Sequence, residues 1–469
     1  MTNEVQYQIL IWSIVMMAAG SLGLLGVIKA RRPLLYPGLL VFMFYLMGYG
    51  LPALKFGLLG SPQTGMYQWP YLPSALAFES LFLLLLWFGF FYGAEFLAIF
   101  RQEKPIPVKK PSEWSLHPFV EKLPLLMSIT AFIVFLTTNY YAGGTLFKGG
   151  SIWESGLYNT HVQEDTQIGI LTTAALFYPA IFLAGMLWAR NKKSILFLCP
   201  GLLILYIVSS STSRGAMLPL AYFFAAAYLA APQQLKVQKN LIFAGLLVIV
   251  GLVMMMAVRE GGWENIFTPF TNLHYGPKVF QERTGSDSLS SLSYAFYFRD
   301  HGYGQMGFFK WLFSMVPLPS LWGIGWTTAY AYSVDFGSIL NRGIGASGWP
   351  CPAQGEFYLQ MGWPGALLGI PLGMGMAYLW RTLELEKTTK PSPLMILLYT
   401  STIQGLITSF HSPSRSCTRI FLYCVFLWAI LRTFKLVNPL SPRGLKNTGD
   451  EQKNNIVFKR SKMNFPLIR

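Results

Sequence analysis

The sequence reads as an all-α, polytopic integral membrane protein with about eleven transmembrane helices and one long extracytoplasmic loop. Its sparse charge, its apolar runs of membrane length and the sidedness of its basic residues lead to that reading. Only 12% of the 469 residues are charged, against 53% hydrophobic and 16% aromatic. Soluble domains carry about 25% charged residues, so a water-facing surface would be short of polar groups. The formal net charge of +16 would suit nucleic acid in a soluble domain. In a membrane protein it reflects Lys and Arg held in cytoplasmic loops, and no nucleic-acid partner is expected. Cys199, Cys351, Cys417 and Cys424 show neither CxxC nor Cys/His spacing, which argues against a zinc site and a disulfide framework.

A spanning helix needs roughly 20 mostly apolar residues. The qualifying runs are 7–28, 34–54, 74–100, 120–141, 168–189, 194–210, 215–231, 241–258, 356–380, 393–410 and 418–433. The first follows no basic segment and is long enough to cross, so it is expected to be an anchor rather than a cleaved signal. Alternate loops are basic: Lys29, Arg31 and Arg32; Arg101, Lys104, Lys109 and Lys110; Arg190, Lys192 and Lys193; Lys236 and Lys239; Arg381, Lys387 and Lys390; then the tail from Arg432. With Lys122 they hold 25 of the 36 Lys and Arg residues. That bias predicts an external N-terminus and a cytoplasmic C-terminus.

The chain divides accordingly. Residues 1–258 carry eight helices, 259–355 form the long outer loop, 356–433 carry three more helices, and 434–469 form a basic tail suited to anionic headgroups. A loop that long is usually functional or a small domain of its own. Its apolar part, 308–321, is broken by Pro317 and Pro319 and is expected to lie along the membrane surface or dip into it. No internal repeat marks the inverted halves of many transporters.

The chemistry gathers around 341–379, where a Gly/Pro-rich loop carrying Arg342 leads past Glu356 into an apolar span. Further arginines stand at other outer helix ends: Arg214 in SSSTSRGAMLPL, Arg259 in MMMAVREGG, and Arg415 and Arg419 in HSPSRSCTRIF. Outer-face arginine opposes the topological bias, and at hydrocarbon depth it costs roughly 2.5–3.5 kcal/mol on insertion scales. Each alone can be explained by a local carboxylate or by snorkelling to headgroups. Together they outnumber their sequence-near partners Glu260, Asp335 and Glu356. Their planar forks suit phosphate oxygens, and one charge pair at 4 Å is worth about 4 kcal/mol in a surface-like dielectric. Two or three could hold a diphosphate and stabilise it as a leaving group, with Ser211 and Ser213 adding hydroxyl donors.

Glu356 reads either as an interfacial partner of such an arginine or as a general base tuned by partial burial. His274, His301 and His411 are external histidines, and Asp300 adjoins His301. Glu79 and Glu95 read as packing or boundary residues of the third span. Trp263, Tyr275, Tyr303 and Trp349 are further aromatic residues of the outer loop. Gly302, Gly304 and Gly307 spell GxGxxG, but no strand precedes them, which excludes a dinucleotide fold. The glycines of GWPGALLGIPLGMG over 362–375 predict close helix packing.

Beyond these readings, GEFYLQMGWPGALLG resembles the GE-[LF]-Y-x-x-F-G-W-x-G-x-x-x-G signature of bacterial oligosaccharide repeat-unit polymerases, the Wzy-type O-antigen and exopolysaccharide polymerases. SxSRGA at 211–216 and FSMVPLPSLW look like two further features of that family. Met361 stands where the family has an aromatic residue, and HSPSRS lacks the Arg-Gly pair often found before the last span. The resemblance implies a metal-independent, cofactor-free glycosyltransferase of the C superfamily in the bacterial inner membrane. Its substrates would be undecaprenyl-diphosphate-linked glycans in the lipid bilayer, and a chain-length regulator would be a partner. It implies Glu356, Arg214 and Arg259 as catalytic, with Arg342, Arg415, Ser211, Ser213, His301 and Tyr358 binding substrate. Two rivals share parts of the pattern. An O-antigen ligase would carry His-Asn-x-Tyr-Leu where this chain has Gly355 to Leu359, and a lipid-linked glycan flippase would carry charges midway through its spans.

Overall fold

The computed structural model describes residues 3–30, 32–60, 69–101, 114–141, 167–210, 216–231, 234–272, 286–302, 305, 307–315, 351–385, 392–409 and 414–439. These are helical apart from short connections and one small antiparallel pairing, Trp114–Leu116 with Val437–Pro439. Five of the helical segments are long and apolar enough to cross a membrane: Asn3–Lys29, Pro37–Leu59, Leu72–Gly93, Pro118–Thr137 and Leu235–Met255. The described residues are thus those of a helical protein with segments suited to crossing a membrane. Each of the eleven apolar runs is helical over most of its length, but several of these helices are shorter than a span.

α1 (Asn3–Ser21) continues into a tighter 3₁₀ turn, Leu22–Lys29. α2 (Pro37–Tyr45) and α3 (Leu51–Leu59) are joined by a π turn over Leu46–Gly50. Pro52 at the second position of α3 has no N–H for the helical ladder, and a widened turn ahead of it accommodates that gap. α4 (Leu72–Arg101), α5 (Pro118–Tyr141) and α6 (Gln167–Asn191) are long; α7 (Leu198–Ser210) and α8 (Leu218–Ala230) are short. α9 (Leu235–Gly261) runs past the expected start of the outer loop.

That loop is not irregular throughout. It contains single turns at Trp263–Asn265 and Thr268–Thr271, the fifteen-residue α10 (Ser286–Asp300) and α11 (Phe308–Ser314). α10 packs against α4 and against α12 (Ala353–Met361). α13 (Gly369–Leu385), α14 (Pro393–Ser409) and α15 (Ser414–Thr433) complete the order.

The ninth run does not form one continuous span. Gly362 adopts φ +69°, a left-handed conformation that closes α12, and a 3₁₀ turn over Trp363–Leu368 with Pro364 near its start precedes α13. A glycine in the left-handed region followed by a proline ends a helix for two separate steric reasons.

α4 and α13 form the tightest helix pair. A methyl group on Gly369 would stand 2.6 Å from the Phe82 carbonyl oxygen, and one on Gly373 would collide with the carbonyl of Leu86. Gly89 and Gly93 on α4 admit Ile370 and Met374 in return. Small residues on both helices let the backbones meet, as GWPGALLGIPLGMG predicts.

Several segments that the charge pattern assigns to one face of the membrane meet in the fold. Trp114–Leu116 pairs with Val437–Pro439. Lys193 Nζ lies 2.7 Å from Glu121 Oε2, and Lys192 Nζ donates to Gln234 Oε1 at 2.6 Å. Exposed pairs of this kind add little stability, so their meaning is geometric: residues 72 and 42 positions apart in the chain meet at one end of the bundle.

Gly369→Leu should destabilise the α4–α13 pair by roughly 1–3 kcal/mol through overpacking. Gly375→Leu on the same helix, where a side chain meets open space, should leave melting almost unchanged. Thermal melting of the two detergent-purified variants checks the difference, and equal losses would contradict the packing argument.

Candidate functional site

The site is built on α12, which is only nine residues long. Pro352 caps its N-terminus, the Glu356 amide donates to the Pro352 carbonyl at 3.0 Å, and Glu356 occupies the first turn. A negative side chain is favoured there by the helix dipole. The other end carries carbonyls that a short helix cannot satisfy itself. Arg299 at the end of α10 satisfies them: its Nη1 donates to the Leu359 carbonyl at 2.6 Å and to the Tyr358 carbonyl at 3.1 Å. The Gly362 amide donates to the Tyr358 carbonyl as well, at 2.7 Å. α12 is therefore capped by an arginine from the outer insertion.

Aromatic side chains fix the orientation of α12. The Tyr358 ring lies parallel to Phe296 of α10, with centroids 3.5 Å apart, and meets Phe78 of α4 edge-on at 5.4 Å. Phe357 packs against Phe82 of α4 and Trp311 of α11, each at 5.8 Å. Tyr358 is thus a packing residue in this arrangement, with only 8% of its surface exposed.

Glu356 is buried at 7% exposure, and the Trp311 indole N–H points to its Oε2 at 3.4 Å. Its charge reaches the thiols of Cys351 and Cys417. Burial, reinforced by Glu356 and then Glu79, holds the Cys351 thiol well above its usual range. Next to Glu356, Gln354 donates through Nε2 to the Tyr45 hydroxyl at 3.0 Å and more distantly to Ser409 Oγ at 3.5 Å. Glu79 of α4 is fully buried and faces Tyr45, Tyr49 and Cys351. α15 packs on α12 as well, and it buries Arg419 at 8% exposure. Two carboxyls, an amide and several hydroxyls thus occupy the interior around α12.

The other expected residues fall as follows. His301 is exposed just beyond α10; its Nδ1 lies 2.8 Å from the Tyr297 carbonyl, and its ring lies 4.0 Å from that of Tyr297. Asp300 is exposed beside it. Arg415 lies in the first turn of α15 and Arg259 near the end of α9. Arg214, Arg342, Ser211, Ser213, His274, His411, Tyr275, Tyr303 and Trp349 lie outside the described residues.

Comparison with protein-family models, with curated proteins and with solved structures gives no match.

The structure brings forward three residues to which the sequence reading gave no role in the site. Arg299 was hidden in an aromatic run, yet it stands three residues after Phe296 and so shares its helix face. Gln354 adjoins the Gly-Glu pair without any charge to draw notice. Glu79 carried the clearest signal, because a lone carboxyl within an apolar span is a functional candidate by default.

Arg299→Ala should remove the cap on α12 and lower stability by roughly 1.5–3 kcal/mol, the range for hydrogen bonds to a charged group. Arg299→Lys should recover only part of this, because a single ammonium lacks the planar fork. Urea or thermal unfolding of the purified variants measures both.

Proposed function

We propose that the chain is a polymerase of undecaprenyl-diphosphate-linked oligosaccharide repeat units, acting at the outer leaflet of a bacterial inner membrane with its N-terminus outside and its C-terminus cytoplasmic. The observation that carries this reading is Glu356: a buried carboxylate in the first turn of an interrupted helix, inside the segment that resembles the polymerase signature. The order of the three motif-like segments along the chain supports it, as does the sidedness of the basic loops.

The growing glycan is the donor, and one lipid-linked repeat is the acceptor. An acceptor hydroxyl oxygen attacks the donor's anomeric carbon, a new C–O bond forms, and the bond from that carbon to the diphosphate oxygen breaks. The hydroxyl proton passes to Glu356 as general base, and undecaprenyl diphosphate leaves as the anion. Arg214 and Arg259 neutralise the developing diphosphate charge, with Arg342 and Arg415 in support and Ser211 and Ser213 donating hydrogen bonds. Guanidinium groups stabilise this leaving group because charge builds on it as the bond breaks. His301 and the half-buried Trp263 border the sugar path, and Tyr358 acts from within the aromatic packing of α12.

Glu356→Gln should lower polymer formation by roughly 10²–10⁴-fold, the range for removing a general base, while the protein still inserts and melts normally. Arg214→Ala should leave single-repeat glycolipid unpolymerised. Purified protein supplied with lipid-linked repeat and no ion gradient is the decisive assay. Polymer in that assay supports an enzyme; its absence, together with gradient-dependent movement of the repeat across the membrane, supports a flippase.

A further inference from the structure

The interior between α2–α3, α4 and α12 contains a set of oxygens whose hydrogen bonding does not close. Glu79 is fully buried, and neither of its carboxyl oxygens has a partner of hydrogen-bonding geometry among the described residues, although the Tyr45 hydroxyl faces it. Gln354 is 4% exposed; its Nε2 donates to Tyr45, but its Oε1 is also without a partner among the described residues. Both acceptors belong to side chains that meet at the same tyrosine. An ionised carboxylate without a partner is strongly disfavoured in such surroundings, and an orphaned amide oxygen adds a further desolvation cost.

We propose that Glu79 is carried as the neutral acid and closes a three-membered hydrogen-bond ring with Gln354 and Tyr45. In the ring the Glu79 O–H donates to Gln354 Oε1, Gln354 Nε2 donates to the Tyr45 oxygen, and the Tyr45 O–H donates to the remaining Glu79 oxygen. Each member then gives one hydrogen bond and receives one. A single proton supplies the missing donor for both sets of orphaned oxygens, and no ionised form of Glu79 can do so. The other occupant such oxygens could hold is a small monovalent cation. The proton is favoured because the ring needs only one donor, and because the groups at hand are one carboxyl, one amide and one hydroxyl.

The consequence concerns Glu356. The titratable groups facing Glu79 are Tyr45 and Tyr49 from the 37–59 segment and Cys351 ahead of α12, and Cys351 faces Glu356 in turn. All are acids. Ionising Glu79 would place a second negative charge near Glu356 and release Gln354, the residue that ties the first turn of α12 to the 37–59 segment. Glu79 is thus a positioning residue that keeps α12 in place while it holds its proton. This inference rests on the burial and the open hydrogen bonding of these side chains and does not depend on the polymerase reading.

Infrared difference spectroscopy of the purified protein tests it. Wild type minus Glu79→Gln should show loss of a protonated-carboxyl C=O stretch that shifts in D₂O, and Gln354→Leu should move that same band in frequency. Glu79→Gln, whose amide can both donate and accept, should melt with wild type, whereas Glu79→Ala should melt several degrees lower. Loss of ionised-carboxylate bands in Glu79→Gln would overturn the proposal. So would a Gln354→Leu spectrum with the band unmoved. A saturable rise in melting temperature with sodium chloride but not choline chloride, abolished in Glu79→Gln, would assign the site to a cation and overturn the proton ring. These measurements need no glycan, so a failed polymer assay leaves their outcome unaffected.

Discussion

A nine-residue helix that ends inside a bundle leaves its last carbonyls facing hydrocarbon or protein, where water cannot reach them. In this molecule the arrangement around α12 follows from how those carbonyls are met. Arg299 brings a guanidinium to Tyr358 and Leu359 from an insertion between α9 and α12. The insertion must therefore pack closely, and α10 does so through Phe296 against Tyr358. Glu356 is positioned by the same contacts, because its helix is held at one end by the arginine and along its side by aromatic rings. A catalytic group must stay within a few tenths of an ångström of its working position, and a short helix clamped in this way is better suited to that than a loop.

The interruption also explains the pairing of α4 with α13. A continuous helix over 356–380 would carry Glu356 and Gly373 on one rigid axis. The break at Gly362 lets α13 take the angle that close glycine contact with α4 demands, while α12 turns to meet α10, α11 and α15. One residue in the left-handed region thus separates a segment that anchors from a segment that positions chemistry. The π turn ahead of α3 has a comparable effect on the first half of the chain, since Tyr45 precedes it, Tyr49 lies within it, and both face Glu79.

Much of this was legible in the residues, because the bilayer imposes simple rules. Apolar length and basic sidedness mark helices without reference to their partners, and the glycine spacing of 362–375 signals close approach whatever helix lies opposite. The break at Gly362 was harder to see, since Gly-Trp-Pro-Gly reads equally as a packing stripe and as a stop. Arg299 and Gln354 could not be singled out from sequence, because capping a distant carbonyl or bridging to Tyr45 over 309 positions depends on tertiary neighbours alone. Glu356 stood out because it is charged and lies beside a span. Glu79 bore the same mark but was assigned to packing, and in part it does pack: what the sequence lacked was any sign that it and Gln354 would both face Tyr45.

The two buried carboxyls therefore divide the work by surroundings rather than by type. Glu356 sits in the first turn of a short helix, with an indole N–H directed at its Oε2, and a negative side chain there meets the positive end of the helix dipole. Glu79 sits mid-helix among tyrosines, where no dipole end favours charge. Under the roles proposed above, surroundings that diverge in this way let one fold keep one group ready to accept a proton while another retains its own. On that basis the proposed base and the proposed positioning residue are not interchangeable. Moving a donor from Glu356 to Glu79, for example by burying an amine beside α4, would abolish the distinction without altering a single residue of α12.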